Sequence, residues 1–255
     1  AIALLTIAAE AGATIALVGD RAQLPAVGRG GVLDIAATIT TGSGGTVHDL
    51  DTVHRFADPA YANLTLQMRA GHDPTDLFDQ LDAFGLIQLH ATAEQAHEQI
   101  ANATASALAG GKSVAATVAT NDEARDLSER VRRQRIASGA VDDTTTSTGR
   151  DGLPIGVGDV IATRNNDSTL GVANRQTWTV QHVGTDGSLT VVEAANARKH
   201  QQSATLPSSY VAQHVHLAYA NTGYGVQGVT TRGAHTLLSE SLDAGGVYVG
   251  MTRGR

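Results

Sequence analysis

The chain has 255 residues, enough for one large or two moderate domains, and 42% of them are hydrophobic, so a sizeable core can form. Aromatic residues make up only 4%, so that core is built mainly from small aliphatic side chains, and the absence of cysteine excludes disulfides and thiolate zinc sites and fits a reducing cytoplasm. The net charge of −7 excludes bulk electrostatic coating of nucleic acid, so any DNA contact is expected in a local groove. No apolar run of about 18 residues and no charged leader followed by an apolar stretch is present, so neither membrane insertion nor secretion is expected. The chain starts on Ala1 and stops at Arg255 inside a motif, so a piece of a longer protein is expected.

In chain order, Ala3 to Ala11 reads as a helix with an apolar face stopped by Gly12, and Thr14 to Val18 as a strand buried on both faces, ended by Gly19-Asp20. Helix then strand, with polar residues at the strand's carboxyl end, is α/β grammar, and such sheets bind ligands at those ends. A helix follows around Val32 to Thr38, and a flexible turn at 41–45. Pro59 to Gly71 and Pro74 to Phe84 read as helices, Leu86 to Leu89 as a short strand. Glu94 to Leu108 is an Ala-rich helix, Ser113 to Ala119 a buried strand, and Asp122 to Ser138 a long helix. Arg125, Arg130, Arg132, Arg133 and Arg135 on that helix are either a local DNA contact or a solvated face, since Asp122, Glu123, Asp126 and Glu129 dilute them.

Gly111-Lys112-Ser113 imitates the end of a phosphate-binding loop, but position 106 is serine where the loop needs glycine, and the lysine precedes a strand instead of opening a helix. From 149 to 207 the pattern changes to short alternating strands (159–163, 177–181, 188–192) broken by turns such as Asp186-Gly187, which reads as a compact antiparallel barrel containing Trp178. Tyr210 to Ala220 reads as a strand on which His214 and His216 share a face, a weak metal signal without a third ligand. Ala234 to Ser239 and Gly246 to Met251 read as further strand-like runs.

Three short segments carry chemistry together: Gly19-Asp-Arg-Ala-Gln-Leu-Pro25, Gln227-Gly-Val-Thr230 and Tyr248-Val-Gly-Met-Thr-Arg-Gly-Arg255. A transferring phosphoryl group needs fixed positive charge and donors around its oxygens, which the planar fork of Arg253 would supply. Gln23 and Gln227 carry amides that both donate and accept, as a movable sensor of phosphate and water requires. This order resembles motifs III, V and VI of superfamily 1 helicases. With Leu17 to Val27, Val53-His-Arg-Phe56, Val118 to Ala124, Gly158 to Asn166 and Leu217 to Thr222, the chain as a whole resembles the helicase region of conjugative relaxase-helicases in the RecD-like branch, from after motif II through motif VI.

The resemblance implies an α/β, RecA-like P-loop NTPase motor: the end of a first RecA-like domain (1–50), a second in two parts (51–148 and 210–255), and an inserted SH3-like β-barrel (149–209). It implies ATP and Mg²⁺ as cofactors, the metal ligands lying upstream, and single-stranded DNA, ATP and the upstream motor and relaxase domains of the same polypeptide as partners. By motif position, Gln23, Arg55 and Arg253 are catalytic, and Gly19, Asp20, Gln227 and Gly228 complete the nucleotide set. Thr120, Asn121, Thr222, Tyr224 and Thr230 form the DNA set. Asp20 either holds its turn by accepting backbone hydrogen bonds or binds metal, and Tyr224 either stacks on a base or packs. Gln23, Arg55, Gln227 and Arg253 are expected to converge on one cleft. Two departures stand out: Gly223-Tyr-Gly-Val226 replaces the family's usual His and basic residue, and Asn174-Arg175 replaces an Asn-Gly turn. Without a phosphate-binding loop or an acidic pair the chain alone is not expected to hydrolyse ATP. The alternative is a non-catalytic nucleic-acid-binding or docking module that keeps the motor fold.

Overall fold

The computed structural model describes residues 2–24, 31–49, 54–194 and 202–254. They divide into two compact units, residues 1–80 and 81–255. Among the described residues no helix is long and apolar enough to cross a membrane.

The first unit is helical: α1 (Ile2–Glu10), α2 (Val32–Gly42), α3 (Pro59–Ala70) and α4 (Pro74–Ala83), the last running across the boundary. The start of α3 follows from Asp58-Pro59. The Asp58 side chain accepts from Ala60 N at 2.8 Å, while Pro59 fills the first helical position, where no N–H is needed. Gly71, at φ +73°, ends it in the left-handed conformation. The strand expected at Thr14–Val18 is not formed, and Val18 is 86% exposed. A strand buried on both faces needs a neighbour on each side, and the described residues of this unit supply none. Leu86–Leu89, at the start of the second unit, also forms no strand, and Leu89 is 83% exposed.

Among its described residues the second unit has a parallel sheet, a five-stranded antiparallel sheet and a two-stranded ribbon around one core. Its α/β part contains α5 (Ala93–Ala109), β1 (Val114–Val118) and α6 (Asn121–Ala137). The start of α6 is fixed by a reciprocal cap: Thr120 Oγ1 accepts from Glu123 N at 3.1 Å, and the Glu123 carboxylate accepts from Ala119 N and Thr120 N, both at 2.9 Å. The antiparallel part runs through β2 (Asp142–Thr148), β3 (Pro154–Val157), β4 (Val160–Thr163), β5 (Thr177–Val183), β6 (Leu189–Glu193) and β7 (Ser203–Leu206), then α7 (Ser208–His214) and β8 (Val215–Leu217). The chain then returns to the α/β part with β9 (Ala220–Thr222), α8 (Gly223–Val226), β10 (Gly233–Thr236) and α9 (Ala244–Met251). The three-stranded parallel sheet has the order β10-β1-β9, the antiparallel sheet β7-β6-β5-β4-β8, and β2 pairs with β3 as a ribbon.

Ala116 and Val118 of β1 pack with Ala101, Leu127 and Val131 of α5 and α6, while Thr117 faces α9 on the other side. Here Gly250 is required by close approach, because a Cβ would lie 2.5 Å from Thr236 Oγ1 and 3.3 Å from Thr117 Cβ. The same buried cluster continues without a break into Ile155, Ile161, Trp178, Val180, Leu189 and Leu206 of the antiparallel strands. Trp178 is fully buried in β5, its indole N–H 3.4 Å from Thr163 Oγ1.

Two expected strands are helices. Within 210–220, residues up to His214 belong to α7 and only Val215–Leu217 and Ala220 onward are extended, so His214 and His216 do not share a strand face. Pro207, extended at φ −60°, turns the chain into α7. Gly246–Met251 lies in α9, because the Asp243 side chain caps it by accepting from Gly246 N at 2.7 Å. Its buried residues, Gly246, Val249 and Gly250, follow helical spacing despite the alternating Val-Tyr-Val.

Candidate nucleotide and nucleic-acid sites

In the first unit, Gly19 to Leu24 form a turn organised by Asp20. Its carboxylate accepts from Ala22 N and from the Gln23 side-chain amide, both at 3.1 Å, and Gln23 N donates to Asp20 O at 3.4 Å. Arg69 of α3 adds an ion pair to Asp20 at 3.7 Å and another to Asp49 at 3.7 Å, and Arg21 joins Asp49 at 3.4 Å and Asp34 of α2 at 3.9 Å. These pairs are solvent-accessible and individually weak, about 0–1 kcal/mol each. Together they tie the turn to α2 and α3, and a shallow hollow of about 200 Å³ opens beside it between Arg21, Ala22, Asp34 and Arg69. Gly19 lets α2 close in, since a Cβ there would meet Leu33 Cδ1 at 2.5 Å. Asp20 thus has the geometry of a turn-holding acceptor. Arg55 sits half-buried just before α3 in the same unit.

In the second unit, Gln227 and Gly228 occupy the centre of a type II turn. Gln227 has φ −60° and ψ 127°, Gly228 has φ +85°, and Val229 N donates to Val226 O at 3.0 Å. The turn type demands the glycine, because the third position needs positive φ. Arg253 is 1% exposed, and its guanidinium grips this turn: Nη1 donates to Val229 O at 3.2 Å and to Val226 O at 3.5 Å. Nε donates to Val249 O at 2.7 Å and Nη2 to Thr252 Oγ1 at 2.8 Å, while Arg253 O accepts from Thr231 N at 2.9 Å. Two segments 22 or more residues apart are therefore one hydrogen-bonded body, with Thr230 between the turn and Thr231.

The other expected DNA residues gather elsewhere. Val118 pairs with Thr222 in the parallel ladder, so Thr120 and Asn121, following β1, and Thr222 and Tyr224, at and just after the end of β9, share the carboxyl edge of the parallel sheet. Arg232 N donates to Ser113 O at 3.1 Å, which puts the segment after Thr230 at the opposite, amino edge. The DNA set is thus brought together except for Thr230. Thr120 and Asn121 are exposed and Tyr224 is half-buried.

The AAA domain family matches residues 1–92 of the chain. Among curated proteins none matches. The crystal structure of a Pif1 helicase from Bacteroides in complex with ADP-AlF3 and ssDNA is similar at TM-score 0.55 and 16% identity, over 96% of this chain and 60% of that one. The Pif1 helicase from Candida albicans is similar at 0.51 and 12%, over 79% and 52%. The fold is RecA-like. The chain spans about half to three fifths of the length of these structures.

The described residues do not make a complete site for ATP with Mg²⁺. Such a site needs a run of amide donors, a lysine and a metal-holding carboxylate. Among the described residues no three His, Asp or Glu side chains converge, and the Arg253 fork is directed at main-chain carbonyls.

The arginine-rich helix α6 is occupied within its own unit. Arg130 pairs with Glu94 at 2.5 Å and Asp126 at 2.8 Å, Arg125 Nε donates to Asp151 O at 2.9 Å, and Arg135 donates to Gly158 O at 3.1 Å while lying over the Tyr219 ring. Arg132 is buried, donating to Asp159 at 2.8 Å and to Asp143. Asp159, fully buried, also accepts from Gly156 N at 2.8 Å and from the Tyr219 hydroxyl at 2.6 Å. Burial and the adjacent Asp159 push the Tyr219 phenol well up, so it remains a donor. This network joins α6 to the antiparallel strands. It was not expected from the sequence, where Asp159 reads as the first residue of the strand 159–163.

Burial and then the Arg164 guanidinium hold His216 below the usual imidazole range, and burial does the same for His235. A folded-state pKa below the unfolded one means that the unfolded chain binds more protons, so this stability is present above about pH 6.5 and is lost as pH falls toward the folded value. Urea titrations are expected to show a lower midpoint at about pH 5.5 than at about pH 7.5, with part of the difference removed in His216→Gln. The carboxyls of Asp73, Asp142 and Asp186, held low by hydrogen bonds, titrate below this window.

Proposed function

We propose that this chain is the C-terminal portion of an ATP-dependent helicase or translocase acting on single-stranded DNA, of the superfamily 1 RecD-like kind, serving conjugative transfer in the cytoplasm. The observation that carries the reading is the grip of Arg253 on the Gln227-Gly228 turn. Two motif segments that the resemblance joins functionally are joined physically, on a RecA-like fold of the kind found in helicases that bind nucleotide and DNA. In this reading Gln23, Arg55, Gln227 and Arg253 each serve a nucleotide held with Mg²⁺ by upstream residues, so the chain alone does not turn over ATP. Residues 1–50 close a first RecA-like domain, 51–148 and 210–255 make the second, and 149–209 form an SH3-like insert that handles the strand.

The carboxyl edge of the parallel sheet, bearing Thr120, Asn121, Thr222 and Tyr224, is proposed as the strand track. Tyr224→Ala is expected to weaken binding of a labelled single-stranded oligonucleotide by about 5- to 150-fold, the equivalent of about 1–3 kcal/mol for one stacked base. Unchanged anisotropy titrations would assign Tyr224 to packing and remove the track. A second reading, a non-catalytic docking or nucleic-acid-binding module, is favoured by one observation: the Arg253 guanidinium is buried against carbonyls, as a purely structural arginine would be.

A further inference from the structure

The end of the β4–β8 ladder collects three arginines from distant parts of the chain. Arg164 N donates to His214 O at 2.7 Å, Arg150 N to Val215 O at 2.8 Å, and Arg175 N to Thr163 O at 2.7 Å, so all three are anchored around the paired Thr163 and Val215, one of them through the last residue of α7. None of the three makes an ion pair among the described residues, whereas Arg130 and Arg132 in the same unit are paired with carboxylates. The nearby acids are engaged in turns: Asp151 Oδ1 accepts from Leu153 N, and Asp167 Oδ1 accepts from Thr169 N and Leu170 N.

Arg164 is held by a neutral partner. Its Nε donates to His216 Nε2 at 2.5 Å, and His216 Nδ1 lies 2.6 Å from Leu217 O, an arrangement that needs the proton on Nδ1 and leaves Nε2 as acceptor. The two terminal nitrogens of Arg164 make no hydrogen bond among the described residues. A guanidinium anchored through Nε, with both Nη groups open, suits bidentate contact with a phosphate. The cost of gathering these charges registers on Arg164, whose pKa is lowered by burial and then by Arg175 and Arg150. Arg175 has φ +65° and is the one non-glycine residue at positive φ among the described residues. That conformation favours glycine, so an arginine there runs against the backbone's preference.

We propose that Arg150, Arg164 and Arg175 form a binding site for the phosphodiester backbone of single-stranded DNA, with His216 orienting Arg164. The proposal rests on the reading that the chain acts on single-stranded DNA, and it adds a second contact surface to the carboxyl edge of the parallel sheet.

The test is anisotropy of a fluorescein-labelled oligothymidylate with the 255-residue chain across a salt series. Each phosphate contact removed flattens the plot of log affinity against log salt by about 0.7 for a single strand, so Arg150→Ala, Arg164→Ala and Arg175→Gly combined should flatten it by about 2. Arg175→Gly alone should weaken binding while leaving the thermal midpoint equal or higher, since glycine relieves the left-handed backbone. A merely structural arginine would move both the same way, and this variant decides the matter if the triple variant does not fold. His216→Gln, which keeps an acceptor, should retain more binding than His216→Ala. A wild-type salt slope in the folded triple variant overturns the site. If Tyr224→Ala then still weakens binding, the DNA reading survives without this site. If the triple variant flattens the slope while Tyr224→Ala is silent, the site stands and the proposed track falls. No binding by the wild-type chain removes both.

Discussion

Asp159→Ala is expected to lower the unfolding free energy by about 3–5 kcal/mol, the range for removing one partner of a buried ion pair. Asp159 is fully buried and accepts from Arg132 Nε, Gly156 N and the Tyr219 hydroxyl. Its loss would leave a guanidinium, an amide and a hydroxyl in the interior, with only the half-exposed Asp143 still facing Arg132. Asp143→Ala serves as the contrast and should cost about 1 kcal/mol or less, because that carboxylate is 46% exposed and water replaces it. The single tryptophan, Trp178, is buried in the antiparallel sheet and reports unfolding by fluorescence in urea. If Asp159→Ala stays within about 1 kcal/mol of wild type, the network does not hold α6 against the strands.

Arg253→Lys is the second large effect. Lysine keeps the charge but presents a single ammonium, so it cannot serve the carbonyls of Val226, Val229 and Val249 and the Thr252 hydroxyl at once. On the proposed reading, in a longer protein that also carries the phosphate-binding loop, ATP turnover is expected to fall by about 10³-fold or more, as for loss of an arginine finger, with nucleotide binding nearly intact. Phosphate release measured beside urea stability separates the roles. Equal turnover with a stability loss of about 1–3 kcal/mol would sink the finger assignment and favour the docking reading.

Much of the helical skeleton was legible in the sequence because its signals are local. Asp58-Pro59 opens α3, Thr120 with Glu123 caps α6, and β1 reads as a short apolar run bounded by a Gly pair and a cap. Two of the misreadings share one cause, apolar runs read without attention to caps, whereas Thr14–Val18 and Leu86–Leu89 are apolar runs that form no strand. Tyr210 to His214 and Gly246 to Met251 looked extended, yet Pro207 and Asp243 start helices there, and the Asp243 cap was available to a closer reading. The threonine run of β2 carried a strand signal in its β-branched residues that was passed over. Of the candidate sites, Gln227-Gly228 and Thr252-Arg253 meet in one hydrogen-bonded body, and nothing in their spacing showed that the arginine turns inward onto the turn.

By itself, then, the sequence determined the α/β character and the helix starts set by capping chemistry, since each depends on residues within a few positions of one another. Only the tertiary structure decided which arginines are structural and which stand open. Arg132 and Arg164 look alike in sequence. One is matched by a carboxylate 27 residues away and the other by an imidazole 52 residues away, and the charge each leaves for a ligand is set by those long-range partners and by burial.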